Sequence, residues 1–229
     1  MNASLNKIAV SVALVIGMAA STAAMAAEQA SIKVIGTIKP GSCDISINGD
    51  TVLDYGDINS ATLNAATATE LATKTTKLNV DCTAPTLFAI RSADIAEGAS
   101  EGVAEAIGES AVKNQNRWFS LGKTAADKII GGYNVGTRTS TALVDNATPN
   151  AFLYSLTEGV SWTSGASQYF LNDGSELLSW GDLEIKTPVV AKNVTLSLNI
   201  TPSIAPVNTL GSIDDVKLDG NATFDVVYQ

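Results

Sequence analysis

Short runs in which apolar and polar residues alternate recur along the whole chain. Alternation at period two marks a strand with one buried face. Ile32, Val34, Gly36 and Ile38 fall on one face of the first such segment, with Lys33, Ile35, Thr37 and Lys39 opposite, and Pro40-Gly41 breaks the run. Cys43, Ile45 and Ile47 alternate up to a turn at Asn48-Gly49-Asp50, and Leu53, Tyr55 and Asp57 form another short extended piece. Leu78, Val80 and Cys82 alternate, and the pattern continues over 87–91 after Pro85. Further strands are predicted over 117–121, 129–135, 137–144, 151–156, 169–171 and 183–185, separated by Gly, Asn and Pro signals. The cleanest half-buried strand spans 194–200, where Val194, Leu196, Leu198 and Ile200 alternate with Thr195, Ser197 and Asn199. The last strand carries Ala222, Phe224, Val226 and Tyr228 on one face.

Two stretches lack this pattern. Residues 60–75 are rich in Ala and Thr, with Leu63 and Leu71 as the larger apolar residues, and fit a loop or a helical turn. Residues 94–113 are acidic and rich in Ala and Gly, with Ile95, Val103, Ile107 and Val112 loosely spaced; they read as a surface loop with room for a short helix. Many short strands, punctuated every ten residues or so, mean a sandwich or a barrel. No internal repeat or linker calls for a second domain.

The N-terminus changes the compartment. Lys7 supplies a positive n-region, residues 8–22 an apolar, Ala-rich h-region, and Ala24-Met25-Ala26 a small-x-small cleavage site. The apolar run falls short of the roughly 20 residues a spanning helix needs. The expected organisation is a signal peptide over 1–26, an N-terminal arm over 27–40 and a β domain over 41–229. Cleavage after residue 26 of 229 leaves 203, ample for a single core. The net charge of −9 argues against nucleic acid and anionic membrane surfaces as partners. No later segment is apolar enough for membrane insertion.

Cys43 and Cys82 are the only cysteines, and in an exported chain a single pairing exists. Closing a loop of roughly 40 residues contributes about 4 kcal/mol in the chain-entropy model. The chain has no histidine, which removes Ser-His-Asp chemistry, the common zinc sites and most acid–base schemes near neutral pH. The acidic turns Asn172-Asp173-Gly174, Asp214-Asp215 and Asp219-Gly220-Asn221 do not match the ligand spacing of an EF-hand loop and read as turn chemistry. Gly131-Gly132 lacks the spacing of a phosphate cradle and reads as a turn. Neither an enzyme nor a cofactor or metal site is expected.

In order and spacing, these features resemble the pilins of the chaperone–usher pathway, in a longer, fimbrial-like branch. Val34-Ile35-Gly36-Thr37-Ile38 ends a short arm, a cysteine follows seven residues after Gly36, and a second lies 39 positions on. Asp54-Tyr55-Gly56, Phe119-Ser120-Leu121-Gly122 and Ile130-Gly131-Gly132-Tyr133 are elements expected in that branch, and a terminal alternating strand ends with a penultimate tyrosine. The resemblance implies an immunoglobulin-like β-sandwich that lacks its final strand and is completed by a donated one, which is strand addition between chains. By that implication Ile32, Val34, Gly36 and Ile38 form the donor strand, while Phe224, Val226 and Tyr228 sit on the groove-edge strand that a chaperone reads. It also implies a periplasmic chaperone, an outer-membrane usher and other fimbrial subunits as partners, with passage through the periplasm to the cell surface.

Departures from the pattern are Val216 where pilins commonly carry a glycine, and a short arm before Gly36. The first alternative is a self-contained secreted or tip adhesin, with Trp118, Trp162 and Trp180 as candidate sugar-stacking residues. The second is a periplasmic enzyme working with carboxylates. Asn146, Asn193, Asn199 and Asn221 open Asn-x-Ser/Thr triplets, which carry no glycan meaning in a bacterium.

Overall fold

Period-two alternation turns one face of each strand inward, and in the computed structural model the inward faces of two antiparallel sheets meet. The structure describes residues 32–35, 41–95, 100–109, 115–211 and 216–229. The chain divides into Met1–Lys39 and Pro40–Gln229. In the first unit, Ile32, Val34 and Ile35 are exposed and lie in no strand, while Gly36 and Ile38 fall outside the described residues.

The second unit is an all-β sandwich. Its strands are β1 (Cys43–Asn48), β2 (Thr69–Glu70), β3 (Lys74–Thr86), β4 (Phe88–Asp94), β5 (Phe119–Ser120), β6 (Gly131–Arg138) and β7 (Ala142–Val144). They continue with β8 (Ala151–Ser155), β9 (Thr163–Gly165), β10 (Ser167–Tyr169), β11 (Asp173–Gly181), β12 (Ala191–Ile204) and β13 (Ala222–Tyr228). The larger sheet runs β1-β3-β12-β6-β10, with β2 and β7 on β12 and β5 on β6. The smaller runs β13-β4-β11-β8-β9. Between them lie Leu78 and Val80 of β3, Leu196 and Leu198 of β12, Phe88 and Ile90 of β4, and Leu178 and Trp180 of β11, all buried. The Phe88 and Trp180 rings meet edge to face with centroids 4.8 Å apart.

Several expectations are corrected. Leu53, Tyr55 and Asp57 pair with no strand; Leu53 packs against the core and the Tyr55 hydroxyl donates to the Ile200 carbonyl. The two strands expected over 129–144 are instead β6, a 3-10 turn at Thr139–Thr141, and the short β7. Residues 183–185 form a turn, because the Asp182 carboxylate accepts the amides of Glu184 (2.7 Å) and Ile185 (2.9 Å). Asn172-Asp173-Gly174 leads into β11 with a register shift between Asp173 and Leu177, so turn chemistry appears as a bulge in a strand.

Gly131 and Gly132 open β6 rather than a turn. A Cβ on Gly131 would lie 2.1 Å from the Ser203 carbonyl oxygen, and one on Gly132 would lie 2.3 Å from Val103. Close packing demands glycine there. Val103 belongs to a short helix, α1 (Val103–Ala106), inside the stretch expected to be a surface loop with room for a short helix. Val103, Ala104 and Ile107 are buried against Trp118 in a small second core. Residues 60–75 carry a 3-10 turn at Ser60–Thr62, then β2 and the start of β3.

Candidate functional site: the open seam between β1 and β13

Each sheet ends on one side in a strand with a single partner. Among the described residues, β1 pairs only with β3, and β13 pairs only with β4. In an antiparallel ladder, alternate residues turn their amide and carbonyl toward the partner and the others turn them away. The Thr83 amide donates to the Ser42 carbonyl, so the even residues of β1 face β3. Cys43, Ile45 and Ile47 therefore aim their backbone groups outward. On β13, the Gln229 amide donates to Leu87 and the Ile95 amide donates to the Asn221 carbonyl, so the odd residues face β4. Ala222, Phe224, Val226 and Tyr228 are left pointing away.

The same residues carry the inward-facing side chains. Ile45, Ile47, Ala222, Phe224 and Val226 pack against the core yet are only half-buried, as are Val216 and Leu218. Leu196 and Leu198, at equivalent inward positions of β12, are 0% and 1% exposed. The outward positions Asp44, Ser46, Thr223 and Asp225 are exposed and polar. Between the two edges runs an apolar seam, flanked on both sides by backbone groups that no strand among the described residues takes up. Among the described residues one bond crosses it: the Cys43 amide donates to the Tyr228 hydroxyl oxygen at 2.9 Å. The Tyr228 ring, 52% exposed, spans one end of the seam.

Cys43 and Cys82 form a disulfide, as expected, directly across the β1–β3 ladder. The bridge fixes the seam edge β1 to β3 and fits an oxidising compartment. No helix among the described residues is long and apolar enough to cross a membrane.

Residues 32–134 match the family model DUF1120, described as a protein of unknown function. The chain is similar to protein GltF of Escherichia coli (strain K12), at 26% identity over 224 residues covering 86% of this chain and 87% of GltF. It is equally similar to the uncharacterized protein YhcF of the same strain, at 26% identity over 229 residues covering 90% of this chain and 92% of that protein. No solved structure matches.

The structure brings Phe224, Val226 and Tyr228 together along one edge of the seam and places Cys43 on the other. Sequence reasoning missed that Ile45 and Ile47 line the same seam; their alternation was visible, but nothing local marks β1 as an edge. Trp118 and Trp180 are buried, at 8% and 1% exposed, and present no ring for stacking on a ligand; Trp162 is half-buried. Asp173 is engaged by the Ser175 amide and by Asn116. Asp214 and Asp215 lie outside the described residues. Among the described residues, no three carboxylates or thiols converge in a metal-holding group.

A second polar feature joins the sheets at the opposite side. Glu176 of β11 and Gln168 of β10 are both buried, and the Gln168 amide donates to the carboxylate at 2.5 Å. Burial pushes the Glu176 carboxyl above its ordinary range; the Gln168 hydrogen bond and Arg117 oppose this, and Asp173 adds to it.

Proposed function

We propose that the chain is a structural subunit of a bacterial surface fimbria that serves adhesion, assembled when a neighbouring subunit donates a strand to the seam between β1 and β13. The observation that carries this reading is the seam itself: half-buried apolar side chains flanked by two backbone edges that no strand among the described residues covers. A bare edge of this kind is an aggregation hazard that a chain must cover. An extended peptide laid between β1 and β13 would satisfy both edges and cover Ile45, Ile47, Phe224 and Val226.

The chain's own N-terminal sequence has the matching period. Ile32, Val34, Gly36 and Ile38 repeat every second residue over seven positions, as do Ala222, Phe224, Val226 and Tyr228 on β13. Seven residues in a strand span roughly 20 Å, so one arm can line one edge from end to end. Donation from copy to copy is heterologous and does not close, which makes a filament. A periplasmic chaperone would cover the seam first, and an outer-membrane usher would direct the exchange. No cofactor enters this reading, and no catalytic role does.

The test is a chain beginning at Gly41, studied alone and after long incubation with a peptide covering residues 27–39. A large rise in melting temperature with the peptide, abolished when Val34 and Ile38 are replaced by Asp, supports the reading. A truncated chain that is a stable monomer indifferent to peptide overturns it, and leaves a self-contained secreted or tip adhesin in its place.

A further inference from the structure

The outer face of the larger sheet is a field of hydroxyls and amides. Thr75 and Asn79 of β3, Thr195, Ser197, Asn199 and Thr201 of β12, and Asn134 of β6 all occupy its solvent-facing positions. Where β12, β6 and β10 lie side by side, this face sinks into a cavity of about 270 Å³. Its lining includes Thr73, Asn134, Arg138, Tyr169, Asn199 and Thr201.

The register explains the depression. Asn199 faces Gly136, and Gly136 faces Tyr169. Gly136 has no side chain to fill its place in the row; a Cβ there would lie 3.0 Å from the Tyr169 ring. The Tyr169 ring packs over Gly136, in the space a side chain there would take, and Tyr169 remains 45% exposed. Its strand is held firmly, because the neighbouring Gln168 is buried and bonded to Glu176 across the sandwich. The Arg117 guanidinium lies 6.0 Å from the Tyr169 ring centroid. The polar partners are also ordered: the Thr73 and Thr201 hydroxyls are 2.8 Å apart, and the Thr75 hydroxyl donates to Asn199 Oδ1, which leaves the Asn199 NH2 group as a donor.

We propose that this depression binds a short saccharide. Arg138 apart, the lining offers neutral donors and acceptors in several directions, which suits a ligand made of hydroxyls, and one aromatic ring whose exposed surface suits the C–H face of a sugar. No carboxylate lines it, so a cation finds no charged ligand there. A nucleic acid is opposed by the chain's net charge of −9. The lining lacks an aliphatic floor for a lipid tail. The volume fits one or two sugar units rather than a long polymer. Binding here is independent of how the seam is closed, since β6, β10 and the outer face of β12 take no part in it.

A ring beside a cross-strand glycine also stabilises a sheet by itself, so the test separates binding from stability. The full exported chain, 15N-labelled, is titrated with methyl mannoside, lactose, N-acetylglucosamine and sialyllactose at millimolar concentration. At least one should move the amides of Gly136, Tyr169 and Thr201 saturably. A response confined to sialyllactose supports the same site, with Arg138 meeting the carboxylate. The double substitution Asn134→Ala and Thr201→Ala should weaken that binding about tenfold or more, the loss expected for two neutral hydrogen bonds, at unchanged melting temperature. Tyr169→Ala should abolish it. Absence of saturable shifts at these amides with all four sugars, or wild-type binding by the double variant, overturns the proposal.

Discussion

β12 and β13 carry the same sequence pattern and end in different surroundings. Both alternate apolar and polar residues over most of their length, and both aim their apolar face at one core. β12 has β3 on one side and β6 and β7 on the other, and its inward residues reach full burial. Among the described strands β13 has β4 alone, and its inward residues stay half-buried. Alternation thus encodes which face is buried, whereas the number of neighbours is decided elsewhere in the chain, or by another chain.

That comparison can be broken or sharpened by measurement. The largest effect is expected from replacing Cys43 and Cys82 together by Ser, which frees the seam edge β1 and should lower unfolding stability by about 4 kcal/mol in urea titrations under matched conditions. Leu196→Ala, on the closed strand, should cost about 3 kcal/mol by the same measurement. Phe224→Ala, on the open strand, should cost less than Leu196→Ala in the free chain, because the ring is only partly buried. With the arm peptide bound, that cost should rise toward the value for Leu196→Ala. Equal costs for both positions in the free chain would mean that the seam is closed. Tyr228→Phe removes the one hydrogen bond across the seam and should lower stability by about 1 kcal/mol or less, while speeding peptide uptake in stopped-flow fluorescence.

The smallest effect lies on the closed side, at Glu176. Its carboxyl sits above the ordinary value of 4.5 in the folded chain, so the folded state keeps its proton to higher pH than the unfolded state does. Stability from this group is present below 4.5 and is lost as pH rises through the folded value. Glu176→Gln should flatten that decline in melting temperature measured from mildly acid to neutral pH, with no change in seam behaviour.

Much of the sandwich was legible because its strands are half-buried: β1, β3, β12 and β13 alternate as read. β11 was not, since Glu176, Leu177, Leu178, Ser179 and Trp180 are all buried and a strand covered on both faces loses its alternation. Leu183-Glu184-Ile185 alternates yet forms a turn, because one carboxylate at Asp182 outweighs two apolar side chains that remain exposed. The acidic stretch around α1 hid a small core, since three buried residues in a four-residue helix and its cap are too few to show a helical period. The seam was legible only as two separate strands. That β1 and β13 lie at the same side of two different sheets is a property of the topology, and no local pattern records it.

The disulfide also sets how the domain would respond if it were pulled from its N-terminal side. Cys43 is the first residue of β1. A pull on the N-terminal segment would otherwise unzip the β1–β3 ladder one hydrogen bond at a time. With Cys43 bonded to Cys82, the force passes covalently into β3, and from there into the long β3–β12 ladder at the centre of the sheet. Tension is then borne in shear by the longest strands of the protein rather than by its exposed edge, and reduction of one bond would convert a strong attachment into one that peels.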